Sequence, residues 1–165
     1  MDMVYKSLKL SSEAHEGQFD KLGVPYFKHP EAVAFILSLS PAFHSFSRDE
    51  KITALSAAYL HDVVEDTDYS LTDLLALGFS KETVDTVSLL TFDHKKHTRE
   101  EYYHLILSSP VARAVKVSDL IHNNYRSRVV HLSEEQQERL ALKYAKAKTI
   151  LLKEDEEEFF YRITG

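Results

Sequence analysis

The sequence predicts an all-α fold, a single compact helical bundle, and three observations carry that expectation. Ser47–Glu50, Thr98–Glu101 and Ser133–Gln136 each place a Ser or Thr three residues before a Glu or Gln, the capping-box pattern that opens a helix. Between such caps, apolar residues recur every three or four positions, the period of a helix face. No segment alternates apolar and polar residues as a half-buried strand does, and no repeat or low-complexity linker interrupts the chain. At 165 residues the chain can bury a core without cross-links, so residues 1–165 are expected to form one domain.

The elements follow in order. Met3–His15 carries Val4, Leu8 and Ala14 on one side and reads as a first amphipathic helix. Gly17–Lys28, with Gly23 and Pro25, is the one irregular stretch. A second helix opens at His29 with Pro30 in its first turn, a position that tolerates the missing amide, and runs to about Leu39. Ser40–Phe46 reads as a loop. Ser47 caps the central helix, expected to continue through Ala57–Thr67 on the spacing of Leu55, Tyr59, Leu60, Val63 and Val64. Ser70–Leu77 is a short helix stopped at Gly78. Ser80–Leu90 sets Val84, Val87 and Leu90 on one side. Phe92–His97 is a polar loop, and Thr98 caps the segment holding Tyr102–Leu107. Ser109 and Pro110 start a helix to about Tyr125, with Val111, Val115 and Ile121 as its buried stripe. Ser133 caps a final long helix whose inner face is Leu140, Tyr144, Ala147 and Leu151. Residues 153–165 form an acidic and aromatic tail, Glu154–Glu158 followed by Phe159, Phe160, Tyr161 and Ile163. It is expected to pack back on the bundle, with a homodimer contact as the alternative.

Composition removes several function classes. A formal net charge of −6 disfavours a DNA- or RNA-coating surface, which must be basic. It leaves room for a small phosphorylated ligand held by local cations. With no cysteine there is no disulfide, thiolate metal site or cysteine nucleophile. Four glycines provide no phosphate-cradling loop. Ala32–Leu39 is too short to span a membrane and Met1–Leu10 lacks a signal-peptide run, so the expectation is a soluble, cytoplasmic protein with no membrane partner.

Chemistry concentrates in the Ala57–Thr67 stretch. Asp62, Glu65 and Asp66 stand at i, i+3 and i+4, and His61 is one turn from Glu65. Acids crowded on an apolar helix repel each other and resist desolvation, and a metal ion is an economical compensation. A solvated acidic helix end is the plainer alternative. Neighbours on a helix diverge by about 100°, so His61 and Asp62 can grip one ion only near a helix end, with ligands arriving from elsewhere. His29, His122 and Asp119 are the candidates, although Lys116 at i−3 is an ordinary ion-pair partner for Asp119.

Four blocks occur in order: H-x-G-Q-x-D-K-x-G-x-P-Y-x-x-H-P (His15–Pro30), L-H-D-V-V-E-D-T (Leu60–Thr67), Leu90-Thr91, and V-K-x-S-D-x-x-H-N (Val115–Asn123). Together they resemble the HD-domain superfamily. Within it the nearest likeness is the (p)ppGpp hydrolase domain of RelA/SpoT proteins and their small hydrolase-only relatives. The resemblance covers about Lys9–Tyr125. It implies an all-α HD bundle, a phosphorylated nucleotide substrate, and release of pyrophosphate from the 3′ position of an alarmone. It also implies that His29, His61, Asp62 and Asp119 hold one divalent metal, Mn(II) in this family, with Fe(II) or Zn(II) as alternatives. A mixed set of two imidazoles and two carboxylates suits those ions better than Mg or Ca. Glu65 and Asp66 match the acids that position and activate water, while Lys21, His15, Tyr26 and Asn123 match positions that contact nucleotide or buttress the site.

The chain departs from the pattern at Asp20, where such hydrolases carry an Arg that stacks on guanine, and at Ser118 and Leu120 beside the last ligand. Asp20 is expected to weaken guanine selection and to repel a bound polyphosphate, unless it pairs with Lys21 or Lys28 or the loop turns it to solvent. An HD hydrolase of another nucleotide or phosphate ester, and a non-catalytic HD sensor, are the alternatives.

Overall fold

Capping side chains set most of the element boundaries. The computed structural model describes residues 2–164, and its helices are α1 (Met3–Ala14), α2 (Lys28–Leu39), α3 (Pro41–Ser45), α4 (Arg48–Leu60), α5 (Val63–Asp66), α6 (Leu71–Ala76), α7 (Lys81–Leu90), α8 (Arg99–Ile106), α9 (Pro110–Asn123), α10 (Arg126–Val129), α11 (Glu134–Leu151) and α12 (Glu154–Thr164). Ser47, Thr98 and Ser133 close the expected capping boxes, and Ser70 closes another with Asp73. Among the described residues there is no strand, only an isolated bridge between Phe19 and Pro25 in the loop after α1. The all-α expectation holds. Met1 and Gly165, the ends of the expected 1–165 domain, lie outside the described residues.

α4 is the hub. It packs against α1, α2, α7 and α9, and Ala54, Ala57, Ala58 and Leu60 are wholly buried along it. Its three alanines let neighbouring helices approach the backbone closely, with Val33, Leu37, Val87, Val115 and Ile121 filling the space around them. Truncating Leu60 to Ala would open a cavity costing about 2–5 kcal/mol.

Four expectations need correction. Ala57–Thr67 is not one helix: α4 ends at Leu60, and His61 and Asp62 form a turn before α5. The cause is local. The His61 ring bonds through Nδ1 to the Ala58 carbonyl at 2.8 Å, the acceptor that a continuing helix would offer to the Asp62 amide. Ser40–Phe46 is not a loop, because Ser40 caps the short α3 with Pro41 at its first turn. The helix expected to reach Tyr125 ends at Asn123, and α10 follows. α9 also has more than a stripe buried, since Val111–Val115 and Val117–His122 are all buried, Asp119 among them.

At the C-terminal end Phe159 and Phe160 are buried while Tyr161 stays exposed. α12 packs on α9 through an ion pair. The buried Arg113 guanidinium donates to both carboxylate oxygens of Glu156, at 2.5 and 2.7 Å, and to the Leu151 carbonyl at 2.8 Å.

Candidate metal centre and cleft

Three elements deliver four side chains to one point. His29 comes from the first turn of α2, His61 and Asp62 from the turn ending α4, and Asp119 from the buried face of α9. Nε2 of His29 lies 3.3 Å from Nε2 of His61, 3.1 Å from Oδ1 of Asp119 and 3.5 Å from Oδ2 of Asp62. Nε2 of His61 is 3.0 Å from Oδ2 of Asp62 and 4.0 Å from Oδ1 of Asp119. Donor atoms of His29, His61 and Asp119 all fall within 4.8 Å of one another, a candidate metal site. The break at His61–Asp62 explains how adjacent residues reach the same point.

The hydrogen bonds behind the rings orient them. Nδ1–H of His61 donates to the Ala58 carbonyl, which leaves Nε2 aimed at the cluster. Nδ1 of His29 meets Nδ1 of His122 at 2.7 Å. Burial and the neighbouring charges of His29 and Arg128 push His122 down to about 3, so it is the neutral ring of the pair. With Nδ1 engaged by His122, His29 turns Nε2 toward the cluster. Two imidazole nitrogens facing two carboxylates form a donor set suited to a cation. Burial opposes a charge on His61, yet Asp62 and Asp119 outweigh it and hold that ring up to about 9. The donor types and their spacing fit a divalent ion.

The remaining sequence-derived residues take their places around this cluster. The Tyr26 hydroxyl lies 2.7 Å from Oδ2 of Asp62 and 3.1 Å from Oδ2 of Asp66, so one proton serves both acids. The buried His15 ring packs on Tyr26 with centroids 4.8 Å apart, and its Nδ1 bonds Gln18 Oε1 at 2.8 Å. Gln18 in turn donates to the Asp66 carbonyl. Asn123 Nδ2 donates to Asp119 Oδ1 at 2.6 Å, and the partly buried Lys116 donates to Oδ2 at 2.8 Å. Thus His15, Tyr26 and Asn123 brace the acids, and the ordinary ion-pair role of Asp119 coexists with its place in the cluster. Burial and the Asp62 charge raise the Asp66 pKa. Glu65 receives the Phe92 amide on Oε2 at 3.0 Å, which pins it at the cleft edge.

No protein-family model matches the chain. Individual relatives do. It is 32% identical over 149 residues to a probable guanosine-3′,5′-bis(diphosphate) 3′-pyrophosphohydrolase of Synechocystis, covering 84% of this chain and 18% of that one. It is 36% identical over 111 residues to the mouse guanosine-3′,5′-bis(diphosphate) 3′-pyrophosphohydrolase MESH1, covering 63% of this chain and 56% of that one. Among solved structures, a metazoan orthologue of SpoT described as hydrolysing ppGpp shares the fold. Its TM-score is 0.75 at 24% identity, over 100% of this chain and 97% of that one. The chain is RelA/SpoT hydrolase-like. It spans less than a fifth of the cyanobacterial relative and just over half of the mouse one.

In this RelA/SpoT-like site His29, Asp62 and Asp119 of the cluster line a cleft of about 220 Å³, with His61 behind them. Asp62, Glu65, Asp66 and Asp119 make its acidic side, while Arg99, Lys116, Arg128 and Lys143 supply cations. Burial and the nearby Arg99 and Lys116 lower the Lys143 pKa, as expected of a lysine in a cationic wall awaiting an anion. The Arg99 guanidinium is braced over the Phe92 ring, 4.0 Å from its centroid. Lys21 lies outside the inner cleft and lines its outer continuation.

Asp20 does not do what the sequence suggested. It pairs with neither Lys21 nor Lys28 but with Arg128 of α10, at 3.1 Å, and only 9% of its side chain is exposed. Its Oδ1 also accepts the amides of Leu22 and Val24. Burial opposes its charge, yet these bonds and Arg128 keep its carboxyl below the ordinary value. Sequence reasoning missed Arg128, Gln18, Arg99 and Lys143. It considered His122 only as a ligand candidate, although the i+3 spacing from Asp119 signals a shared face.

Proposed function

We propose that this chain is a metal-dependent pyrophosphohydrolase that removes the 3′-pyrophosphate of (p)ppGpp or a close alarmone. One observation carries the reading: two imidazoles and two carboxylates cluster together, and three of them, His29, Asp62 and Asp119, line a cation-walled cleft beside Glu65 and Asp66. His29, His61, Asp62 and Asp119 would hold one ion, Mn(II) in our assignment, with Fe(II) or Zn(II) also suited to the donor set. Such an ion lowers the pKa of water and polarises a phosphoryl oxygen.

The chain's own groups account for the rest. Asp66 is our assignment for the general base. Burial and the Asp62 charge raise its pKa, which makes it a more basic carboxylate, and Tyr26 occupies Oδ2, leaving Oδ1 to take the proton from water. Glu65, held by the Phe92 amide, orients that water from the other side. Arg99 and Lys143 balance the substrate's phosphate charge. The water oxygen forms a bond to the phosphorus on the 3′ oxygen, that P–O bond breaks, and a proton ends on the 3′ oxygen as pyrophosphate leaves. A nucleotide substrate of this kind puts the working location in the cytoplasm. Among the described residues no helix is long and apolar enough to cross a membrane.

A second reading, hydrolysis of another nucleotide or phosphate ester by the same apparatus, draws on Asp20 standing where a stacking Arg is expected. Purified protein supplied with Mn(II) and assayed against ppGpp, ppApp, GTP and cyclic dinucleotides separates the two. Pyrophosphate release from ppGpp is the expected result. Turnover of a cyclic dinucleotide or GTP alone would move the assignment to the second reading, and turnover of none would sink both.

A further inference from the structure

The cleft does not end at the acidic cluster. A second chamber of about 280 Å³ continues outward from it, and Asp20, Tyr26, Asn123, Arg128, Lys143 and Tyr144 line both. The two differ in character. The inner one holds the acids and three of the candidate metal ligands, whereas Phe19, Leu22, Leu132 and Leu140 give the outer one an apolar lining. A nucleotide whose reacting phosphoryl group sits in the inner one would send its flat, apolar base into that outer chamber.

Arg128 stands at the junction. It comes from a helix of four residues, too short to fix a long side chain by itself, and Asp20 supplies the anchor. Asp20 is itself immobilised, because Leu22 and Val24 donate to its Oδ1 and leave Oδ2 for the guanidinium. The carboxylate thus ties two segments more than 100 residues apart, residue 20 and residue 128. The pairing has a chemical consequence. A guanidinium paired with a carboxylate is a weaker anchor for a phosphate than a free cation, whereas stacking uses its planar face rather than its net charge alone. Lys143, with no ion-pair partner among the described residues, is the better phosphate cation at the same junction.

We propose that Arg128 is a specificity-determining residue that packs its guanidinium face on the base of the nucleotide, and that Asp20 is the positioning residue that holds it there. The inference rests on the nucleotide-hydrolase reading above. It moves the base-stacking cation from the loop after α1 to α10, and it makes Asp20 its support rather than its loss.

Two probes distinguish the possibilities: ppGpp turnover, and calorimetric titration with GDP and with inorganic pyrophosphate, which has no base. Arg128→Ala is expected to raise KM for ppGpp and Kd for GDP by about 3–30-fold, the scale of a cation on an aromatic face, with kcat and pyrophosphate affinity within twofold. Asp20→Asn is expected to give a smaller rise, and no further rise when combined with Arg128→Ala, because both changes remove one interaction. Arg128→Lys, which keeps the charge and loses the plane, is expected to behave like Arg128→Ala. Equal weakening of GDP and pyrophosphate would make Arg128 a phosphate cation and overturn the proposal. Unchanged GDP affinity in Arg128→Ala would overturn it too, as would full rescue by Arg128→Lys. If the wild type turned over no alarmone, the hydrolase reading would fall, while the GDP titration would still decide the role of Arg128.

Discussion

Nδ1 of His122 lies 2.7 Å from Nδ1 of His29, so one proton joins two rings that stand on α9 and α2. That bond fixes which nitrogen His29 turns toward the cluster, as the Ala58 carbonyl does for His61. The prediction concerns retention of metal rather than fold. His122→Phe is expected to weaken metal affinity by about 10–100-fold, the usual scale for a lost second-layer partner. His122→Gln, whose side-chain oxygen can still accept the proton, is expected to recover part of it. Chelator competition with Mn(II) measures both. Equal affinity in His122→Phe and wild type would show that the pair does not orient the ligand.

Retention of metal also links to stability. A ligand bound only by the folded state at 100 times its Kd adds about 2.7 kcal/mol, so Mn(II) is expected to raise the Tm of the wild type. His61→Ala removes a ring at the centre of the cluster and should abolish that rise, leaving a Tm that EDTA and Mn(II) no longer separate. A metal-induced shift of wild-type size in His61→Ala would place the ion elsewhere.

The acids divide differently. Glu65→Gln and Asp66→Asn keep shape and leave the four candidate ligands in place, so metal content should persist while kcat falls by about 10²–10⁴. Asp66→Asn is expected to be the more severe, since Asp66 carries the raised pKa and shares the Tyr26 proton. Near wild-type turnover in Asp66→Asn would remove it as the base.

How much of this was legible in the sequence follows from the range of each interaction. Ser47, Thr98 and Ser133 cap helices with partners three residues away, and each could be read directly. The break after Leu60 could not, because a side chain decides it by taking the Ala58 carbonyl, and helical spacing runs unbroken across that point. The convergence of His29 with His61 and Asp119 was reached from ordered motifs, since their spacing alone says nothing about three dimensions. His122 behind His29 and Arg128 against Asp20 escaped for the same reason. Each is a contact between distant segments, made by residue types that are common on any surface.

The buried Arg113–Glu156 pair gives a pH-dependent prediction away from the cleft. Burial opposes the Glu156 charge, but hydrogen bonds from Arg113 and the Lys153 amide outweigh it, and its folded pKa lies below the ordinary 4.5. The folded state therefore binds the proton less readily than the unfolded one. This stabilisation is fully present above about pH 4.5 and is lost as pH falls through the lower folded value. Glu156→Gln leaves Arg113 buried with a neutral partner and is expected to lower stability at neutral pH by up to about 3–5 kcal/mol, the cost of breaking a buried pair. Denaturant melts should show the wild type and variant separated by a constant gap from pH 5 to 7 that narrows below pH 4.5. A gap that widens on acidification would mean that the sign is wrong.

Asp20→Arg tests the cleft most severely, because sequence and structure predict opposite results. The motif comparison makes it a restoration: an Arg returns to the stacking position and KM for ppGpp should fall. The structure makes it a double loss. The Leu22 and Val24 amides lose their acceptor, Arg128 loses the carboxylate 3.1 Å from its Nη2, and a second cation enters the same region. Like charges brought near each other repel, and the partly buried setting screens them less than water would. We expect a higher KM, by about tenfold or more for a loss of at least 1.4 kcal/mol, together with a lower Tm. Adding Arg128→Ala to Asp20→Arg should then improve on Asp20→Arg alone, since it removes the repulsion and leaves one guanidinium at the mouth. Kinetics and melts of the three proteins decide it. A fall in KM for Asp20→Arg with Tm unchanged would show that the Asp20–Arg128 pair is dispensable and that the loop can present a stacking cation by itself.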